Sequence, residues 1–194
     1  MVTVQEIIFL VKQLLFRGKK HIKKMKNLIL TSAILLFLST IGIAQKSNIN
    51  IQKTAITKTL DAWHLAASEA KFDNYFSYMT PDAVFIGTDA TENWQLQAFK
   101  EFAKPYFDKG KAWNFKVLER NIYFAKDQKT AWFDELLDTQ MKICRGSGIL
   151  IKVGKEWKIQ HYVLSMTIPN DNTDAVIKIK EKIENPLIEK LKFK

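Results

Sequence analysis

The feature that most constrains this chain is a change of period at Asp108-Lys109-Gly110. Before it, apolar residues recur at helical spacing; after it, Trp113-Asn114-Phe115-Lys116-Val117 alternates apolar and polar, the period of a strand with one face buried. The alternation continues in four runs, near 112–125, 129–141, 144–154 and 156–168, broken by turn signals at Lys126-Asp127, near Lys142, and at Gly154-Lys155. Hairpin-linked runs predict a curved antiparallel sheet with the helices packed on one face, an α+β architecture.

Upstream of the switch, Ile56, Leu60, Trp63 and Ala67 share one face of a helix expected over 49–70. A short helix follows over 71–79, Thr80-Pro81-Asp82 breaks it, and Ala83-Val84-Phe85-Ile86 reads as a strand. Asp89 with Glu92 three residues on has capping-box spacing, which predicts a helix from there to about Phe107. Pro169-Asn170-Asp171 ends the sheet, and Val176, Ile179 and Ile183 give the tail helix spacing up to Pro186. The extra C-terminal helix is therefore part of the expected fold.

A chain of 194 residues with 47% apolar content suits one buried core rather than two. The formal charge of +10 is concentrated at the ends: residues 1–44 carry +6 and residues 175–194 carry +3, leaving the centre near neutral. That distribution argues against a nucleic-acid partner. Basic residues before the apolar run Leu28–Ile43, which closes on Gly42-Ile43-Ala44, have the layout of a signal peptide. The run is short and carries Thr31, Ser32, Ser39 and Thr40, so a spanning helix, needing about 20 apolar residues, fits less well. The expected organisation is a leader and signal over 1–44, a domain over 45–170 and a helical tail over 171–194, with cleavage after Ala44 and a periplasmic or secreted mature chain. A membrane enters only through an uncleaved signal, and Met25 is an alternative start. Cys144 is the single cysteine, so no intramolecular disulfide forms; a small buried strand residue is its expected role.

Four segments carry a family resemblance: Phe85–Trp94, Ala131–Glu135, Arg145–Leu150 and Trp157–Ser165. In order and spacing they resemble the SnoaL-like branch of the nuclear transport factor 2-like superfamily, over roughly residues 50–170. The resemblance implies a cone-shaped sheet wrapped by N-terminal helices, a pocket at the wide end and, commonly, a homodimer. Relatives often carry a second His two residues after the first in the last strand; here that position is Val163.

Fold does not settle function, so candidate residues are weighed one by one. Strand parity puts Trp157, Ile159, His161, Val163 and Ser165 on one face of the last strand, a face the core would claim. His161 is then expected inside the cone, paired with a carboxylate, Asp134, as an acid/base couple. Parity alone leaves either Asp134 or Glu135 facing the pocket, with Glu135 exposed or at a dimer contact as the other option. Candidate ligand contacts are Trp94, Trp113, Trp132, Arg145, Ser165 and His64; Arg145 alternatively pairs with Asp134 or Glu135. No zinc spacing or phosphate loop is present, and neither a metal nor a cofactor is expected.

Three functions compete. The first is an exported binder of a small, mainly apolar ligand. The second is a cofactor-independent isomerase, cyclase or hydrolase using Asp134 and His161. The third is a protein-interaction module, and a homodimer through the outer sheet face, with Phe133, Leu137, Tyr162 and Leu164 as surplus apolar residues, accompanies any of them.

Overall fold

The first described helix, α1 (48–68), is amphipathic as expected: Ile56, Leu60, Trp63 and Ala67 are all buried on one stripe. The computed structural model describes residues 48–193, so the expected leader, the apolar run and the expected cleavage after Ala44 lie outside the described residues. Residues 48–52 open α1, and the fold below belongs to residues 53–193.

After α1 come α2 (Phe72–Ser77), β1 (Met79–Ile86), β2 (Asn93–Gln95), α3 (Leu96–Asp108), β3 (Lys116–Phe124), β4 (Thr130–Thr139), β5 (Lys142–Val153) and β6 (Glu156–Met166). A short 3₁₀ turn (Asn170–Asn172) leads into α4 (Thr173–Lys192). The strands form one six-stranded sheet in the order β2-β1-β6-β5-β4-β3. The hairpin-linked strands β3 to β6 pair antiparallel, as their short turns require, but β1 lies parallel to β6 because α3 and the rest of the sheet intervene between them in sequence.

Two expectations shift locally. Asp89 and Glu92 do exchange local bonds, Thr91 N–H donating to Asp89 Oδ1 at 2.8 Å and Asp89 N–H to Glu92 Oε2 at 3.1 Å. They close a turn rather than cap a helix, because Asn93–Gln95 first pairs with β1, and α3 starts only at Leu96. In the tail, α4 continues through Pro186 to Lys192.

The core lies between the inner face of the sheet and α1–α3. Trp63, Tyr75, Tyr162, Phe99, Ile56, Leu60, Leu137, Leu150 and Ile159 are its largest fully buried apolar and aromatic side chains. Truncating one of these aliphatics, Leu60→Ala for example, removes about 2–5 kcal/mol of stability through lost transfer energy and a residual cavity. Cys144 is a buried, free strand residue in this core.

Bulges decide which side chains reach that core. Ile149 pairs with His161 but the next residue, Leu150, pairs with Ile159, so Gln160 is an extra residue in β6. Facing it, the β1 register against β6 shifts between Met79 and Val84, the stretch that holds Pro81, which has no N–H for a ladder bond. The bulge inverts parity. Trp157 and Ile159 point inward before it, Tyr162 and Leu164 after it, and His161, Val163 and Ser165 fall on the outer face.

Candidate functional site

The inner face carries a buried polar cluster centred on Glu135. On β4, Glu135 sits between the inward-facing Phe133 and Leu137, opposite Arg120 of β3. His64 Nε2, from α1, lies 2.8 Å from Glu135 Oε1. The Tyr162 hydroxyl donates to the same oxygen at 3.2 Å, and Arg120 Nε donates to Oε2 at 2.8 Å. Arg120 Nη1 continues to Asp61 Oδ1 at 2.7 Å and reaches the Thr57 carbonyl at 3.4 Å. Burial raises the pKa of Glu135, but the hydrogen bond and charge of His64, and then Arg120, outweigh it and hold the carboxyl below its ordinary value. With the carboxylate ionised, His64 Nε2 is the donor. Burial first and the adjacent carboxylate second push the Tyr162 phenol well above its usual range, so it stays protonated. Glycine makes room for this arrangement: a Cβ on Gly146 would collide with the Tyr162 hydroxyl.

Beside the cluster is a cavity of about 380 Å³ at the end of the sheet where β1 and β6 finish. Its walls are mostly apolar: Phe85, Trp94, Phe99, Phe102, Trp113, Phe115, Met141 and Leu164, with Tyr106 at the edge. Several ring planes run nearly parallel. Phe85 stacks on Phe99 at 4.0 Å and 14°, Phe99 on Trp113 at 5.9 Å and 22°, and Trp94 on Phe102 at 4.3 Å and 25°. Polar groups are few: Thr88, Glu92, Lys111 and Gln140. Glu92 already accepts the Asp89 N–H. Cluster and cavity share walls, since cavity-lining Phe115 meets the His64 ring edgewise at 5.9 Å and cavity-lining Phe85 packs on Tyr162.

The expected residues divide three ways. Trp94 and Trp113 line the cavity. His64 is buried behind it, held by Glu135 rather than open to a ligand. The remaining five lie on the outer face of the sheet. Trp132 is 47% exposed and stacks on Tyr123 at 5.9 Å. Arg145 stands opposite Ser165, half exposed, with Nη1 4.0 Å from Asp134 Oδ1. Asp134 also accepts from Asn121 Nδ2 at 3.2 Å. His161 occupies the same outer face, so the expected inward-facing Asp134–His161 couple is corrected: the Gln160 bulge turns His161 away from the core that continuous alternation would give it. The surplus apolar residues are corrected as well, Tyr162 and Leu164 by the Gln160 inversion in β6 and Phe133 and Leu137 because β4 turns the Glu135 face rather than the Asp134 face inward. Phe133, Leu137, Tyr162 and Leu164 are core, and the outer face instead presents Tyr123, Trp132, Ile149 and Val163.

Arg120 was not among the expected residues, and Glu135 only as an alternative. Arg120, Ile122 and Phe124 share parity, as do Phe133, Glu135 and Leu137; an ionisable side chain flanked at two-residue spacing by apolar ones must find a partner inside. That is the signal by which the pair is readable. Among the described residues, no group of three or more His, Cys, Asp or Glu is placed to hold a metal ion.

Comparison with solved structures gives the same architecture at low identity. A nuclear transport factor 2-like protein of unknown function from Pseudomonas putida KT2440 aligns with a TM-score of 0.53 and 12% identity, over 63% of this chain and 92% of its own. A candidate dehydratase of that family from Streptomyces avermitilis gives 0.54 and 9%, over 62% and 99%. A candidate scytalone dehydratase from Novosphingobium aromaticivorans gives 0.54 and 11%, over 63% and 89%. No curated protein matches. The model of the SnoaL-like domain matches residues 56–169, from the first core residue of α1 to just past β6, and the chain belongs to the SnoaL-like domain family.

Proposed function

We propose that this chain is an exported protein whose SnoaL-like domain holds a small, mainly apolar molecule between the aromatic walls of its cavity. One observation carries the reading. The cavity is walled by rings and aliphatics, while the buried Glu135 carboxylate behind it is already engaged by His64, Tyr162 and Arg120. A volume of about 380 Å³ lies in the range of small-molecule sites, which are apolar with a few placed polar groups. Acid/base chemistry through Asp134 and His161 has no support, since both face away from the cavity. If turnover occurs, His64 is the group one ring away from a bound substrate, with Glu135 bonded behind it. The outer face, with stacked Tyr123 and Trp132 beside Ile149, Val163 and Arg145, has the aromatic and Arg content of an interface, and a second copy is its proposed partner.

The test is a fluorescence titration with 1-anilinonaphthalene-8-sulfonate. Wild-type protein is expected to bind saturably, and Ala112→Phe, which puts a ring into the cavity lining, to bind about tenfold or more weakly. Trp132→Ser on the outer face leaves the titration unchanged. Equal binding by wild type and Ala112→Phe contradicts the proposal.

A further inference from the structure

A second concavity, of about 460 Å³, lies at the opposite end of the sheet, where β1 and β6 begin. It is bounded by α1 and the β5–β6 turn, and its walls include Lys58, Thr59, Tyr78, Lys155, Trp157 and Lys158. Its character is the reverse of the aromatic cavity. Three lysines line it against one carboxylate, Glu156. That carboxylate is already engaged with Lys158 at 2.8 Å, and Lys158 also donates to the Ser77 carbonyl at 2.9 Å. Among the described residues, neither Lys58 nor Lys155 has an ion-pair partner. The domain centre is near neutral overall, so two uncompensated cations in one concavity are a local excess and not a reflection of a basic domain.

Like charges held in one concave site repel, and an anion bound between them removes that repulsion and gains charge-assisted hydrogen bonds. The hydroxyls of Thr59 and Tyr78 add neutral donors on the same walls. We infer that this cleft is an anion site for a phosphate-bearing group, with Lys58 and Lys155 as its principal contacts and Thr59 and Tyr78 as secondary donors. A doubly charged group matches the two lysines that lack a carboxylate partner, and α1 and the β5–β6 turn bound the cleft on two sides. The site is independent of the aromatic cavity, with which it shares no lining residue.

The test uses the full chain and two probes, inorganic phosphate and vesicles of phosphatidic acid in phosphatidylcholine. Phosphate, at ionic strength matched with chloride, is expected to raise the melting temperature saturably. The Lys58→Ala, Lys155→Ala double variant shifts that saturation to about tenfold or higher concentration. Removing two tail charges instead, Lys178→Ala with Lys182→Ala, leaves it unchanged. If the phosphate belongs to a lipid headgroup, the vesicles retain more protein than pure phosphatidylcholine does, and the Lys58/Lys155 variant loses that excess. A free phosphate ester is indicated when soluble phosphate binds and the vesicles give no excess. A rise in melting temperature that is identical in wild type and the Lys58/Lys155 variant is general salt stabilisation. That result, or binding of neither probe, overturns the site.

Discussion

Glu135 holds three elements together through one carboxylate: His64 brings α1, Arg120 brings β3 and Tyr162 brings β6. Removing it leaves Arg120 buried with only Asp61 and Thr57 for partners, so Glu135→Ala is expected to cost about 3–5 kcal/mol, read from chemical denaturation. The same group fixes an acid response. Its folded-state pKa is depressed below the ordinary 4.5, so its contribution is fully present above that value and is lost as pH falls through the folded-state pKa. Glu135→Gln should therefore flatten the fall in stability below about pH 4.5, measured by denaturation midpoints across an acid series; an unchanged acid slope would show that the carboxylate is not what titrates. This cluster was only half legible. Glu135 could be read as inward from Phe133 and Leu137, and its partner Arg120 from Ile122 and Phe124, but strand alternation cannot say which strands lie side by side. His161 failed for a sharper reason, because one inserted residue, Gln160, is invisible to a parity argument and reverses every later side chain in β6.

At the scale of elements, the order of helices and strands followed from the change of period at Gly110 and from turn residues, and hairpin pairing of β3 to β6 followed from short connections. The parallel β1–β6 pair and the short β2 were not legible, since both depend on contacts distant in sequence and β2 has only three residues. Strand β5 holds the tightest constraint. Gly148 lies on the inner face against the His161 carbonyl and the Phe133 ring, and backbone beside a bulge cannot yield as a flexible side chain would. Gly148→Ala is expected to cost about 1–3 kcal/mol by overpacking, seen as a lower melting temperature. The outer face of the same strands gives the opposite result. Trp132→Arg replaces a half-exposed ring, so stability should hold while sedimentation at micromolar concentration shifts from dimer to monomer. Wild-type protein sedimenting only as monomer would remove the dimer proposal.

The whole molecule combines an expected leader over 1–44 with a domain that has two unlike recesses at opposite ends of its sheet. Export is a proposal about the leader alone, and the intact mass of chain recovered from the cell envelope tests it: a mature protein beginning at Gln45 is expected, and one beginning at Met1 or Met25 contradicts it. The central claim concerns the aromatic cavity. The titration locates binding through its loss in Ala112→Phe, and the most direct measurement is a crystal structure determined with 1-anilinonaphthalene-8-sulfonate bound. The expected result is probe density between the rings of Trp94, Phe99 and Trp113, on the inner side of the sheet. Probe density against Tyr123 and Trp132, with the cavity holding none, would contradict the assignment of this cavity as the ligand site.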